Sequence, residues 1–309
     1  VRDGYEWARQ PWLMGRIGFG ANGQGCAVPR LIGLAIKLSD AGIGEYWEDV
    51  DLYIRNHGTE MQFTPEDVPY LDSFPKTFPT PEQERDPDRR FPLASPSAIM
   101  QASMGAFASI QNKVDWALCC SPWGAMGIFY AWDGTLRYSD GIARVNLLLN
   151  HASPWMDVES WIPYEGKVVL RNKQAKQVFV RIPLWAEKRS VECRIGDRKV
   201  DASWFGRYVW LDNLRAGDVI TIEFPMQERT EHWTTDDTLA TKIPGWPGKA
   251  TRDYTFRGNT LVKISPPIPN WPSESGDWHL YRNRWDKYQA KEAPVKNVTR
   301  FATPFRLKW

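Results

Sequence analysis

The chain has 309 residues, enough for two domains at roughly 100–200 residues each. Lys plus Arg number 39 against 37 Asp plus Glu, a formal charge of +2, so no field of one sign favours nucleic acid or an anionic membrane surface, and the expected partner is neutral. No apolar run approaches the ~20 residues of a membrane span, and the 17 Trp beside 11 Tyr and 13 Phe lean collectively towards carbohydrate, although a single Trp more often fills a core.

The sequence opens on Val1 in what reads as a helix, which suggests a piece of a longer protein, with no signal-peptide pattern from which to assign a location. From Pro29, "PRLIGLAIKLSD" places Leu31, Leu34, Ala35 and Leu38 on one helical face and stops at Asp40-Ala41-Gly42. In "EYWEDVDLYIRN", Tyr46, Val50, Tyr53 and Ile54 share a face, which leaves Glu48, Asp49 and Arg55 for solvent or a cleft. These two helices are expected to form a hairpin. Between Phe63 and Phe91 six prolines and many charges predict a long surface loop or insertion. Another helix is expected in "WGAMGIFYAW".

After Asp133 the period shortens. "ARVNLLLN", "MDVESWI", "KVVLRN", "QVFVRIP", "VECRI" and "DVITIEFP" read as the short strands of an antiparallel sandwich. In the last, Ile220, Ile222 and Phe224 face one way and Val219, Thr221 and Glu223 the other. The expected division is α+β and multidomain: helices over 1–133, a β-sandwich over 134–230, and an irregular Pro- and Trp-rich tail over 231–309 that packs on both.

Chemistry concentrates on cysteine. The chain has four, and "DWALCCSPWGAMG" sets Cys119 beside Cys120. Neighbouring thiols admit three readings: small buried residues, a disulfide with a strained backbone, or two ligands of a tetrahedral zinc. Cys26, in "GANGQGCAVPRL", also sits where a loop enters a helix, where unpaired N–H groups favour thiolate. Cys193 lies in a strand and reads as packed. The four histidines, His57, His151, His232 and His279, are isolated; "GRIGFGANGQG" follows no strand and lacks a phosphate-loop ending; Ser121 lacks the glycines of a nucleophile elbow.

Gln24-x-Cys26, the helix ending "LAIKLSD", the Cys119-Cys120 pair with "SPWGA", and a sandwich holding "VRIPLW" and "GDVITIEFP" together resemble the β-L-arabinofuranosidase family of glycoside hydrolases, family 127. The resemblance covers nearly the whole chain. It implies the C-terminal part of an (α/α)6 helical barrel followed by an antiparallel β-sandwich, and a retaining hydrolase of plant or algal glycans. It implies zinc held by Gln24, Cys26, Cys119 and Cys120, with Cys119 as nucleophile and Cys120 as ligand only. Gln24 stands where the family has a glutamate. The acid/base glutamate is expected a short way upstream, where Glu6 is the carboxylate of that type; a solvated helix charge is the alternative. Asp51 falls near a sugar-contacting acidic position, with a surface carboxylate as its alternative, and Trp123 is expected against the sugar. A half barrel would leave apolar faces such as Leu31, Leu34 and Leu38 bare. A relative that has lost hydrolysis and serves as a carbohydrate-binding or structural protein is the competing expectation.

Overall fold

The protein is described here by a computed structural model covering residues 1–9, 26–58, 62, 105–107, 120–236 and 249–266. The helical part comprises α1 (Arg2–Arg9), α2 (Ala27–Asp40), α3 (Trp47–Tyr53), a π-helical turn over Ile54–Gly58, and α4 (Cys120–Thr135). The expected hairpin forms: α2 ends at Ala41, Gly42 adopts φ +68, and the chain reverses into α3. Leu31, Ala35 and Leu38 are buried as the stripe requires, and Ile32 and Ile36 are buried beside them. The covered face is wider than the pattern implied because α2 is packed between α3 and α4.

α4 turns its small residues towards α2. A Cβ on Gly127 would lie 2.9 Å from the Pro29 side chain and 3.1 Å from its Cα, and one on Gly134 would lie 3.3 Å from Ile36. Pro29 to Ile36 and Gly127 to Gly134 are the same seven-residue step, so the two helices run parallel with a heptad-like seam. The opposite face of α4 carries Met126, Phe129 and Trp132, each at least one-third exposed. Leu31 and Leu38 of α2, expected to be bare, are covered, and of the exposed α4 residues Trp132 stacks on His151 at 4.5 Å between ring centroids.

The sandwich pairs two five-stranded sheets, ordered β1-β2-β5-β9-β8 and β3-β4-β10-β6-β7. In chain order these are β1 (Leu136–Ser139), β2 (Ile142–Val145), β3 (Met156–Ser160), β4 (Lys167–Asn172), β5 (Gln177–Arg181), β6 (Glu192–Ile195), β7 (Arg198–Val200), β8 (Ser203–Phe205), β9 (Tyr208–Leu211) and β10 (Val219–Glu223). Ile220, Ile222 and Phe224 point into the core as their alternation predicts. Cys193 is packed there too, and burial pushes its thiol up to about 11. One pairing departs from an all-antiparallel sandwich: β2 and β5 are parallel. The chain leaves the first sheet after β2, builds β3 and β4 in the second, and returns as β5, a crossover long enough to allow it.

The segment expected to be irregular contains a third sheet, β11 (Glu228–Asp236), β12 (Lys249–Arg257) and β13 (Thr260–Ser265), antiparallel throughout. Tyr254 and Phe256 point inward against Leu52 of α3, and Gly258, at φ +58, makes the two-residue turn between β12 and β13. Among the described residues no helix is long and apolar enough to cross a membrane.

Candidate active site

Because α2 and α4 are parallel, the loop-to-helix junctions of Cys26 and Cys120 open at the same end of the pair. From the seam, Cys26 lies three residues before Pro29 and Cys120 seven before Gly127, an offset of about 6 Å, or one turn. Cys26 is the N-cap of α2 and is buried, and its side chain makes no capping hydrogen bond. Neither helix carries an acidic residue in its first turn. Two helix N-termini at the same end, one turn apart, direct their first N–H groups and positive dipole ends outward there. Phe107 closes over α4 here: it pairs with Gln62, its N–H meets Ser121 Oγ at 3.4 Å, and its ring fills the space above Gly124.

Trp123 lies at the same end, half-buried, with the Arg30 guanidinium 4.6 Å from its ring centroid. Arg30 is exposed, so the sugar face expected of Trp123 is shared with a cation that the sequence reading did not single out. Gln24 and Cys119 lie outside the described residues, and Cys120 is described by its backbone alone. Among the described residues no three His, Cys, Asp or Glu side chains are grouped to hold a metal.

Glu6 stands elsewhere. Its carboxylate accepts a hydrogen bond from the Tyr46 hydroxyl at 2.6 Å and pairs with Arg9 at 3.2 Å, while Arg9 also binds Asp49 at 2.7 Å and Tyr5 donates to Asp49 at 2.8 Å. The Tyr46 ring rests against Gly44 in the α2–α3 turn, and the Tyr46 N–H bonds Ser39 Oγ near the C-terminus of α2. α2 has 14 residues, so Glu6 and Cys26 are separated by a helix about 21 Å long. A retaining pair of catalytic groups lies only about 5–5.5 Å apart. The Tyr46 hydrogen bond, then Arg9, hold the Glu6 carboxyl below its ordinary value, so it is charged at neutral pH where a general acid must hold a proton.

Asp51 is also occupied. It is buried, pairs with Arg55 at 2.8 Å, and accepts from the Asn259 amide at 2.8 Å; Arg55 in turn donates to the Leu148 carbonyl at 2.8 Å. Glu48 beside it binds Arg181 at 2.7 Å, and Arg181, only 2% exposed, is also bonded to Glu45. Asp49 and Arg55, expected at solvent or a cleft, are thus buried in ion pairs within the helical part, Asp49 with Arg9 of α1 and Arg55 with Asp51, while the Glu48–Arg181 pair joins α3 to the sandwich. The structure brings Cys26, the start of α4 and Trp123 together, and leaves Glu6 and Asp51 apart from them.

No protein-family model matches the chain, and no curated protein matches it. The solved structures it is similar to include a glycoside hydrolase, at 15% identity and a TM-score of 0.45 over 77% of this chain and 37% of that one. A GH127 beta-L-arabinofuranosidase from Geobacillus stearothermophilus T6 matches at 16% identity and a TM-score of 0.41 over 76% of this chain and 35% of that one. A further GH127 beta-arabinofuranosidase matches at 17% identity and a TM-score of 0.33 over 47% of this chain and 26% of that one. The chain spans between 26% and 37% of the length of these three proteins.

Proposed function

We propose that this chain carries the cysteine end of a zinc-thiolate retaining glycoside hydrolase of the β-L-arabinofuranosidase type, acting on a plant or algal glycan. The observation that supports it is the parallel pairing of α2 and α4, which sets the Cys26 and Cys120 junctions at one end. Cys119 is the residue before Cys120, so three thiols of the sequence belong to these two junctions. Thiolates are a donor set that suits zinc, and Gln24, two residues before Cys26, offers a neutral amide oxygen as the fourth. Zinc bound there would keep the thiols deprotonated at neutral pH. The chain's own part is to supply helix N-termini that stabilise sulfur anions and to present the Cys119 thiolate to the anomeric carbon, while an acid protonates the departing oxygen. Glu6 would serve as that acid only after leaving Tyr46 and Arg9 and crossing the length of α2, so this reading takes the proton from another group.

The placement of Glu6 and Asp51 favours one alternative, a relative that binds carbohydrate without cleaving it. Zinc content measured beside hydrolysis of a panel of aryl furanosides and pyranosides separates the two. The hydrolase reading expects stoichiometric zinc and turnover. Cys119→Ser should then abolish turnover with the fold intact, Cys120→Ser should weaken zinc binding and lower stability, and Gln24→Glu should tighten zinc. Full zinc occupancy without turnover on any sugar selects the binding protein, and undiminished activity in Cys119→Ser removes the nucleophile.

A further inference from the structure

The turn between β12 and β13 enters the helical part at one point. Asn259 is 2% exposed; its side-chain amide donates to Glu48 at 2.7 Å and to Asp51 at 2.8 Å, so one NH2 bridges two carboxylates a turn apart on α3. Asn56 completes the contact, donating to the Asn259 carbonyl at 2.9 Å and accepting from the Leu261 N–H at 2.9 Å. The apolar hold of this sheet on α3 is Leu52, in a small cluster with Tyr254, Phe256, Leu261 and Ile264, separate from the large sandwich core. Glu48 touches all three parts of the molecule, because it also accepts from Arg181 and from the Leu184 N–H at 3.1 Å on the sandwich side.

We infer that the β11–β13 sheet is a separately releasable module, latched to α3 by Asn259 through Glu48 and Asp51 and let go by acid while the sandwich stays folded. An amide NH2 can only donate, so the latch needs carboxylate oxygens with free lone pairs. A proton on Glu48 sets a hydrogen against a donor, either Asn259 or Arg181, and a buried polar group left without a partner destabilises the contact. The charged groups facing Glu48 are Arg181 and Arg207 from the sandwich and Glu45 from the α2–α3 turn, with Asp51 and Arg55 following on its own helical segment. Burial alone would raise the Glu48 carboxyl, but the Arg181 charge and the hydrogen bonds from Asn259, Arg181 and the Leu184 N–H outweigh it and hold it below its ordinary value. A depressed folded value means that the stabilisation is present above the unfolded value and lost as pH falls through the folded one. Release therefore lies on the acid side of an ordinary glutamate, and each further pH unit raises the released population about tenfold for the one proton.

Hydrogen exchange read by mass spectrometry from pH 7 down to pH 3, as protection corrected for the intrinsic rate, tests this. Protection over 249–265 should fall about tenfold per pH unit on the acid side, while Lys167–Asn172 and Val219–Glu223 keep theirs. Glu48→Gln should flatten that step. Asn259→Asp should reverse it, released at neutral pH where three carboxylates face one another and redocked as they protonate. Protection lost in both regions together, or an acid step unchanged in Glu48→Gln, overturns the latch.

Discussion

The carboxylate of Glu6 illustrates what one side chain's surroundings decide. Tyr46 and Arg9 hold it charged, so Tyr46→Phe should move its titration up towards that of an ordinary glutamate, read by carboxyl NMR; an unmoved midpoint would mean that Tyr46 does not set it. Arg181 presents the buried case. It lies 2% exposed against the mostly buried Glu48 and the exposed Glu45, and Arg181→Met would leave the Glu48 carboxylate at the joint without its cation, at a cost of roughly 3–5 kcal/mol in chemical denaturation. At this scale the sequence was readable where a neighbour in the chain sets the environment. Cys193 in an alternating strand had to be packed, and it is. It was unreadable where the partner is distant: Tyr46 is 40 residues from Glu6, and Asn259 is 208 from Asp51. Nothing in "EDVDLYIRN" distinguishes a sugar-contacting Asp51 from one that holds an asparagine of another sheet.

Among the elements, α2 and the strands around Ile220 and Ile222 follow their periodicities, because each buries a face whose spacing is written in the residues. The direction of α4 against α2 was not written in any such stripe. The contact depends on small residues, Gly127 on Pro29, Gly134 near Ile36 and the Tyr130 ring on Gly33, while Met126, Phe129 and Trp132 of α4 lie outside. A reading that counts apolar residues overlooks a face made of glycine. Gly127→Leu should therefore force the helices apart and cost about 1–3 kcal/mol, seen as a lowered Tm. Since the same seam aligns the two cysteine junctions, zinc affinity should fall with it; unchanged zinc affinity in a destabilised Gly127→Leu protein would uncouple the seam from the site. The third sheet was missed for a similar reason. Arg252, Tyr254 and Phe256 do alternate with Asp253, Thr255 and Arg257, and Gly258-Asn259 is a hairpin turn signal, but an arginine on the inward side obscures the apolar period.

Taken whole, the molecule has a sandwich whose core runs through both sheets and two smaller parts tied to it by ion pairs and hydrogen bonds as well as by apolar contacts such as Leu147 in the helical cluster and Trp185 on Gly258. Ile222 is fully buried in that core, so Ile222→Ala should cost about 2–5 kcal/mol and lower the main unfolding transition; a loss confined to the β11–β13 sheet would show that the parts share one transition differently from this arrangement. The Tyr208 hydroxyl on Asn146, whose own amide holds the Gly134 carbonyl, ties the end of α4 to the first sheet. The parallel neighbours β2 and β5 govern how the chain can be divided. Everything between them in sequence, β3 and β4 included, belongs to the opposite sheet, so the two sheets are laced by one thread. A backbone cut in 149–155 leaves the β1–β2 pair on one piece and β5, with the rest of both sheets, on the other. The pieces should each stay unfolded alone and recover the sandwich only when mixed, so a nick at that crossover turns a single protein into an obligate pair.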